Sequence, residues 1–319
     1  MNSSPGYIYD RQVYNNTPLV SCILTTYNRE ALFVRALNSI INQTYKNLQI
    51  IIVDDNSIDR TAEIALSFSD TRLLYIKHEM NFGLAKSRNT GMRYSRGEYI
   101  CFLDDDDEWD KRKIERQLEC FQESNCINLG MVTCGIRRIK HGVSREFKES
   151  LRGDLSQKII IDQPLVGNGS CVMIKKSVCY DVGEIDERIK RGIDGFHFFK
   201  IAQRYQIDYC EDVLVNYYED GQDRITRFQT KEKIQEAIDS ETVKHSHVNV
   251  QLNKNRRLKN RFYFRQCLYC IALDKYRDAL RLFIKSLPWA IFDRRIIYVV
   301  SYTLFPAFIS SVYRKKLIR

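Results

Sequence analysis

Four consecutive aspartates, residues 104–107, directly follow the apolar run ICFL. Carboxylates this close together repel one another unless water screens them or a cation neutralises them. One interpretation is a solvated acidic turn before a helix that begins near Asp110, where negative charge is mildly favourable. The other is a hard divalent cation, held by one or two of the carboxylates together with the oxygens of a phosphorylated ligand. Mg²⁺ and Mn²⁺ are commonly bound in this way at catalytic sites.

A calcium loop does not fit the same stretch. Acids stand at the first, third, fifth and twelfth positions of such a loop, which are Asp104, Asp106, Glu108 and Glu115. The sixth position is Trp109, where the turn of the loop needs a glycine. The acidic stretch therefore does not predict a calcium site of this type.

The elements that must position these acids are strands alternating with helices. The runs VSCILTT, LQIIIVDD, LLYIK and EYICFLDD are short and rich in apolar residues, and the segments between them have helical spacing. Strands that alternate with helices pair in parallel, and runs apolar on both faces suit a sheet that helices cover on both sides. We therefore predict an α/β fold with a doubly wound sheet.

Ligands of such sheets bind beyond the carboxyl ends of the strands, near the point where the strand order reverses. Polar residues follow three of the predicted strands. They are Thr25, Thr26, Tyr27 and Asn28 after the first strand, Asp54 and Asp55 after the second, and Asp104 through Asp107 after the fourth. We expect all three sets to face one crevice.

The chain divides into three predicted parts. Residues 1–17 are a polar tail without pattern that we expect to be flexible, and residues 18–228 carry the α/β domain. Later strands of that domain are predicted at LGMVTCGIRRI and SCVMIKK, and a helix is predicted to start near Asp194. Residues 229–319 are helical in pattern and basic.

The charge and the cysteine content of the chain indicate which binding partners and which cellular compartment to expect. The 319 residues carry a formal net charge of +10, so nucleic acid, anionic lipid and phosphorylated small molecules would all be attracted. Ten cysteines lie mainly in apolar runs and no secretory signal is recognised, so we expect a reducing cytoplasm. Cys267 and Cys270 lack a second pair at zinc spacing, and packing on a helix is the preferred interpretation.

Three stretches together resemble a known family. PLVSCILTTYNR, INQTYKNLQIIIVDDNSIDRT and NFGLAKSRNTGMRYSRGEYICFLDDDDEW are similar, over roughly residues 18–115, to the nucleotide-binding half of the family 2 glycosyltransferases, and a weaker likeness continues to about residue 225. The resemblance implies the GT-A fold, a Rossmann-like α/β domain with a mixed sheet, here followed by a helical region. It also implies an inverting, metal-assisted hexosyltransferase of bacterial surface-polysaccharide assembly. The donor would be a nucleotide sugar, expected to be UDP-linked, and the acceptor a saccharide or a lipid-linked saccharide.

The resemblance assigns donor-binding roles to individual residues. Thr26 and Tyr27 would line the pocket of the base, with the tyrosine ring stacked on it. Asp55 would accept a hydrogen bond from the base, with Asp54 as the adjacent alternative. Arg88 would lie near the diphosphate, because a guanidinium matches phosphate geometry; an exposed helix charge is the other interpretation of Arg88.

Metal and base are assigned in the same way. The family's Asp-x-Asp motif matches Asp104 and Asp106 as metal ligands for Mn²⁺ or Mg²⁺, with Asp106 the first choice and Asp104 or Asp105 near the ribose. Asp194 in GIDGFHFF matches the position of the catalytic base, with a helix N-cap as the alternative.

The third metal ligand of the family is left open. Many relatives carry a histidine near the end of the domain, where this chain has Tyr218 and Asp220. Asp220 is a speculative substitute. His197 lies close to Asp194 in sequence, but on a helix it is as readily packed as functional.

The last segment raises the question of a membrane. Residues 296–312 are largely apolar with basic flanks, and we expect them to lie at an anionic membrane surface; a buried helix pair is the alternative. The expected location is the cytoplasm, peripheral on the inner membrane. Nucleic acid is not an expected partner, because an acidic crevice repels phosphate backbones. A non-catalytic nucleotide- or sugar-binding module is the alternative function. Acceptor choice is expected to depend on residues 166–170 and 188–196.

Overall fold

A computed structural model of the chain describes residues 17–148, 151–156, 168–219, 230–254, 256–273 and 275–290. The strands in this part of the chain are β1 (Val20–Thr26), β2 (Leu48–Asp54), β3 (Leu73–Lys77), β4 (Tyr99–Asp104), β5 (Asp107–Trp109), β6 (Leu129–Lys140), β7 (Val143–Phe147), β8 (Met173–Lys175) and β9 (Gln206–Tyr218). The helices are α1 (Glu30–Ile41), α2 (Thr61–Ser67), α3 (Leu84–Tyr94), α4 (Lys113–Glu123), α5 (Lys176–Val182), α6 (Ile193–Ala202), α7 (Lys231–Lys254), α8 (Arg256–Ala272) and α9 (Tyr276–Ala290). A short 3-10 helix covers Gly169–Cys171.

The strands form one mixed sheet in the order β3-β2-β1-β4-β8-β6-β9-β5, with β7 paired to β6. The β1, β2, β3 and β4 strands are parallel, whereas β8 runs antiparallel to both β4 and β6. The strand order reverses between β1 and β4. The carboxyl ends of these two strands therefore border the crevice where open α/β sheets bind ligands.

The parallel strands form because both of their faces are covered by helices. All seven residues of β1 and of β2 are buried. Alternate side chains point to opposite faces, so Cys22 and Leu24 pack in the core with α1, while Ile23 packs in the core with α3. Two cores, one on each side of the sheet, hold it in place.

The pairing register aligns the carboxyl ends of β1, β2 and β4. Thr25 of β1 aligns with Asp104 of β4, and Thr26 aligns with Asp54 of β2. The residues that follow these three strands consequently start from one edge of the sheet. The predicted fold class, an α/β domain with a mixed sheet followed by a helical region, is confirmed.

Local differences from the predicted elements have simple causes. The four predicted strands of the first half are present, but Gly169–Cys171 is a 3-10 helix and only Met173–Lys175 forms a strand. The helix after the acidic run begins at Lys113 instead of near Asp110, because Asp107–Trp109 first pairs with β9. All ten cysteines are free thiols, and Cys267 and Cys270 are buried in α8.

Helices α7, α8 and α9 form the helical region. Its α7 helix reaches the α/β domain through Ser240, which is buried and bonded to the backbone of the loop before α6. In the part of the chain that the structure describes, every helix is too short or too polar to cross a membrane. The tail before residue 17 and the apolar segment 296–312 lie outside the described residues.

Candidate active site

The loops after β1, β2 and β4 line one cavity of about 620 Å³. Tyr27, Asp55 and Asp106, one from each loop, all contribute to its wall. Thr26, Asp104 and Asp105 also line it, and Asp194 lines it from the start of α6. The expectation that three separate turns meet at one crevice is therefore confirmed, although Asp54 and Asp107 of the predicted sets do not line the cavity.

The acidic run at the end of β4 is a packed structure. Asp105 is 4% exposed and Asp107 is fully buried, so the interpretation of a solvated acidic turn is wrong. Arg29 after β1 holds the run, with Nη1 2.8 Å from Asp105 and 3.3 Å from Asp106. Burial raises the pKa of Asp105 to about 6, although the nearby guanidinium of Arg29 opposes that shift.

Asp107 is the most enclosed of these carboxylates. Its Oδ2 accepts hydrogen bonds from the Ser170 hydroxyl and the Asn168 amide, both at 2.6 Å. Its Oδ1 is buried and has no hydrogen-bond partner in the structure, which is costly for a carboxylate oxygen. Burial and the neighbouring Asp104 and Asp106 raise the pKa of Asp107 well above its usual value.

These carboxylates suit a hard divalent cation. One oxygen each from Asp104, Asp106 and Asp107 lies within 4.8 Å of the others, and the unpartnered Oδ1 of Asp107 is an acceptor that a cation would satisfy. Asp107 is thus a candidate third ligand of the cation. Sequence analysis had given it no role beyond its place in the acidic run. It stands in the acidic turn itself, away from the predicted position at the end of the domain.

Arg88 on α3 is buried behind the cavity wall. It is 1% exposed, so its interpretation as an exposed helix charge is wrong, and it does not line the cavity. Its Nη2 lies 2.8 Å from Asp104, and its Nη1 contacts Asp194. Burial alone would lower the pKa of Arg88, but the two carboxylates outweigh it and raise the pKa. Arg88 therefore links the acidic run to the candidate base.

Asp194 lies in the first turn of α6, whose N-cap is Gly192, so the N-cap interpretation of Asp194 is wrong. One carboxylate oxygen contacts Arg88, and the other accepts the backbone N–H of Gly169 at 3.1 Å. A Cβ at position 169 would lie 2.5 Å from Nη2 of Arg88. Only glycine lets the backbone approach both the guanidinium and the carboxylate this closely.

The two aspartates after β2 have different surroundings. Asp54 is fully buried outside the cavity, where it accepts hydrogen bonds from the Tyr75 hydroxyl at 2.6 Å and the Ser57 N–H at 2.7 Å. Asp55 lines the cavity and accepts the backbone N–H groups of Phe82 and Gly83 at 2.9 and 2.7 Å. Of the two, Asp55 is the one that can meet a ligand.

The carboxylate of Asp55 also contacts a histidine, His78. Nδ1 of His78 lies 2.8 Å from Asp55 Oδ1, and Nε2 lies 3.0 Å from the Thr90 hydroxyl. His78 thus bridges Asp55 and Thr90 through its two ring nitrogens. The remaining lone pairs of Asp55 can accept from an N–H group of a ligand.

Neither Tyr218 nor His197 supplies a ligand to the acidic run. The Tyr218 hydroxyl donates to Glu108 at 2.6 Å, and the guanidinium of Arg35 covers its ring at 3.7 Å. His197 is 2% exposed, and both of its ring nitrogens are buried without a hydrogen bond in the structure. Burial lowers the pKa of His197 to about 3, so it is a neutral, packed side chain. Asp220 lies outside the described residues.

Several residues of the cavity wall were not predicted. They are Arg29, Asn81 and Tyr217, whereas Asn168, Lys190 and Gly192 fall in the ranges 166–170 and 188–196 that were expected to set acceptor choice. Arg29 directly follows the TTYN stretch, so its position after β1 was a signal that could have identified it. The others come from irregular loops or from β9, and their approach to the cavity depends on contacts that are distant in sequence.

Comparison with known proteins identifies the family. The chain matches the family model "Glycosyl transferase family 2" over residues 21–183, which is about half of its length. The chain belongs to glycosyl transferase family 2. It is 31% identical over 206 residues to an uncharacterized glycosyltransferase of Methanocaldococcus jannaschii, covering 63% of this chain and 70% of the relative.

Relatives with more specific names match over shorter segments. The UDP-Glc:alpha-D-GlcNAc-diphosphoundecaprenol beta-1,3-glucosyltransferase WfgD of Escherichia coli is 38% identical over 107 residues, which are 34% of this chain and 42% of WfgD. The putative teichuronic acid biosynthesis glycosyltransferase TuaG of Bacillus subtilis is 38% identical over 114 residues, 35% of this chain and 45% of TuaG. The family 2 chain thus aligns with less than half the length of either relative.

Among solved structures, residues 1–349 of TarS from S. aureus, in complex with UDP-GlcNAc, superpose with a TM-score of 0.66. The superposition covers 94% of this chain and 90% of TarS 1–349, at 15% sequence identity. At this identity the likeness concerns the fold. It extends over most of the chain, beyond the segment that the family model matches.

Proposed function

We propose that this family 2 chain transfers a sugar from a UDP-sugar to a saccharide acceptor, with inversion at the anomeric carbon. The observation that carries the proposal is the single cavity of about 620 Å³ that Tyr27, Asp55, Asp106 and Asp194 line together. A nucleotide sugar and the end of an acceptor fit such a volume. The name of WfgD, which includes a UDP-sugar and a lipid-linked acceptor, and the UDP-GlcNAc bound to TarS support the choice of ligands.

In this proposal, the loops after β1 and β2 bind the base. Tyr27 is 45% exposed, so its ring is available to stack on the base. Thr26 lines the same cavity. Asp55 accepts a hydrogen bond from an N–H group of the base, a donor that the imide of uracil provides. Because His78, Phe82 and Gly83 already fix the carboxylate, little ordering is needed when the base arrives.

Asp104, Asp106 and Asp107 would hold the divalent cation, Mn²⁺ or Mg²⁺, with Asp104 and Asp105 also close to the ribose. When bound, the cation supplies positive charge against the growing negative charge of the departing nucleoside diphosphate. Arg29 contributes positive charge to the same side of the cavity. It partly neutralises the acidic run before any ligand arrives.

Asp194 would act as the general base. Its carboxylate takes the proton of the acceptor hydroxyl while the hydroxyl oxygen forms the new bond to the anomeric carbon. The bond from that carbon to the diphosphate oxygen breaks, and its electron pair leaves with the nucleoside diphosphate. Arg88 and the N–H of Gly169 hold the carboxylate in a fixed orientation.

The wider role is a place in bacterial surface-polysaccharide assembly. We propose residues 18–228 as the catalytic domain and residues 229–319 as a helical region that attaches to the cytoplasmic face of the inner membrane. A lipid-linked acceptor, such as the one in the name of WfgD, would be reached from that surface. The excess of basic residues supports attraction to anionic lipid.

The test begins with a panel of nucleotides and nucleotide sugars, each measured for thermal stabilisation with and without Mn²⁺. We expect UDP-sugars to stabilise the chain in a metal-dependent manner. Incubation of the best donor with membrane lipid extract should then release UDP. Stabilisation without any release of UDP, in the presence of acceptors, would favour the alternative of a non-catalytic binding module.

A further inference from the structure

The cavity of the proposed donor site is lined by more acids than bases. Asp55, Asp104, Asp105, Asp106 and Asp194 contribute carboxylates, whereas Arg29 and Lys190 are the cations of the wall in the described part of the chain. Arg29 is already engaged with two of the carboxylates. The side chain of Lys190 is exposed and has no ion pair or hydrogen bond within the described residues.

The backbone at Lys190 is firmly held although its side chain is not. The N–H groups of Lys190 and Arg191 both donate to the Ser240 hydroxyl of α7, at 2.9 and 3.2 Å. Ser240 is 1% exposed, and its own hydroxyl donates to the backbone oxygen of Glu236. The helical region therefore fixes the point from which the Lys190 side chain leaves the loop.

Gly192 then turns the chain from Lys190 into α6. Its φ is +64°, in the left-handed region that favours glycine. A Cβ at this position would lie 2.5 Å from Nζ of Lys244 on α7, so a side chain would also meet the helix. This turn places Lys190 and Asp194 on the same wall, four residues apart in sequence.

The Lys190 ammonium reaches across to the loop that holds Asp55. Its Nζ lies 3.8 Å from the position that a Cβ on Gly83 would occupy, and the Gly83 N–H is bonded to Asp55. The ammonium therefore lies beside the loop that holds Asp55, and Lys190 lines the same cavity as the proposed catalytic base. In a donor, the ribose and the diphosphate lie between the base and the transferred sugar, and the diphosphate is the anionic group of the two.

We propose that Lys190 binds the diphosphate of the donor and of the departing nucleoside diphosphate, and that α7 positions it through Ser240. This inference rests on the proposed function, since it assumes a nucleoside diphosphate in the cavity. An ammonium that has three donors and no partner in the described part of the chain matches phosphate oxygens, and it adds positive charge to the cavity. The helical region is then part of the donor site.

The experiment compares the binding of UDP and of uridine to the full chain by calorimetry in excess Mg²⁺, for wild type and Lys190→Gln. We expect the affinity for UDP to fall about tenfold in the variant and the affinity for uridine to stay unchanged, because uridine lacks the diphosphate. Lys190→Arg should retain most of the UDP affinity. Arg188→Gln is the matched control, an exposed cation of the same loop that pairs with Asp186 and does not line the cavity.

A second variant tests the role of α7. Ser240→Ala keeps the lysine but removes its backbone anchor, and should lower UDP affinity about threefold without changing uridine affinity, a loss within the range for one neutral hydrogen bond. Equal UDP binding by wild type and Lys190→Gln would overturn the inference, as would equal losses for UDP and uridine. If wild type binds neither compound nor any other nucleotide of the panel, the proposed function itself fails.

Discussion

The cavity has two walls that differ in origin. The strand-end wall consists of the loops after β1, β2 and β4, with Tyr27, Asp55 and the acidic residues 104–106. The loop wall consists of Asn168, Lys190 and residues 192–194, which include Asp194. The first wall is placed by the register of parallel strands, and the second by individual hydrogen bonds to distant elements.

The two walls of the site are stabilised in different ways. In the strand-end wall, each loop follows a buried strand whose register is fixed by pairing with its neighbours. We therefore expect a substitution in one loop to leave the other loops in place. In the loop wall, Asp194 depends on Arg88 and Gly169, and Lys190 depends on Ser240. We therefore expect one substitution in the loop wall to displace more of the neighbouring site residues than one substitution in the strand-end wall.

The largest expected effect is at the candidate base. Asp194→Asn should lower the rate of transfer about 10²- to 10⁴-fold, because the amide cannot accept the proton of the acceptor hydroxyl. The affinity for UDP should stay close to that of wild type, since donor contacts lie mostly on the other wall. Steady-state kinetics and calorimetry measure the two quantities.

Asp181→Asn is the control for this prediction. Asp181 is also paired with an arginine, Arg204, but it lies on the outside of α5 and does not line the cavity. A transfer rate in Asp194→Asn within a few-fold of wild type would remove Asp194 from the role of base. The loop wall would then no longer be the wall that carries the catalytic base.

The next effect concerns the strand-end wall. Asp106→Asn should reduce transfer on the order of 10²-fold, since the loss of a charged ligand weakens binding of the divalent cation. It should also abolish the stabilisation by Mn²⁺ alone in a thermal melt, a readout that does not depend on turnover. Asp110→Asn, outside the cavity, should keep that stabilisation. Unchanged stabilisation by Mn²⁺ in Asp106→Asn would exclude Asp106 as a ligand.

The sequence was informative for the strand-end wall for a physical reason. A buried parallel strand is a continuous apolar run, so its end is visible in the sequence, and the next residues must face the crevice. The sets that contain Tyr27, Asp55 and Asp106 were predicted in this way, and the family resemblance then singled out these three residues. The choice between Asp54 and Asp55 was not visible, because it depends on Tyr75 of the neighbouring strand.

Sequence analysis predicted the loop wall mainly as two ranges, residues 166–170 and 188–196, that were expected to set acceptor choice. Asp194 came from the family resemblance, while Gly169 and Lys190 have no local pattern that marks them. Their places depend on contacts across many residues, such as the bond between Lys190 and Ser240, fifty positions apart. Arg88 was assigned to the cavity, but its burial is set by packing of α3 under the acidic run, and pattern reading does not detect that.

A smaller effect separates positioning from chemistry in the loop wall. Gly169→Ala should lower the rate of transfer about tenfold or more, because a Cβ would lie 2.5 Å from Nη2 of Arg88 and displace the guanidinium that holds Asp194. UDP affinity should change much less than the rate. Gly142→Ala is the control, since its φ of +75° strains an alanine but a Cβ there would meet no atom within 4 Å.

A rate in Gly169→Ala equal to that of the Gly142→Ala control would contradict the prediction. It would mean that Arg88 shifts without disturbing Asp194. The loop wall would then tolerate local change as well as the strand-end wall does. The distinction between a wall fixed by register and a wall fixed by single contacts would have to be given up.

The smallest effect is one of stability and concerns the helix that carries Asp194. His197 has a pKa of about 3 in the folded chain because burial disfavours its charged form, whereas an unfolded histidine has a pKa of about 6.5. The unfolded chain therefore takes up the proton first as the pH falls. The contribution of His197 to stability is complete above about pH 6.5 and is progressively lost towards pH 3.

His197→Leu should remove this loss, because leucine fills the buried position without a titratable group. The melting temperature of wild type should fall more steeply between pH 7 and pH 5 than that of His197→Leu, in melts without ligand. His247→Gln, a change at an exposed histidine of α7, should keep the wild-type slope. Parallel slopes for wild type and His197→Leu would show that α6 opens enough to solvate His197. The loop wall would then be looser than its hydrogen bonds to Arg88 and Gly169 indicate.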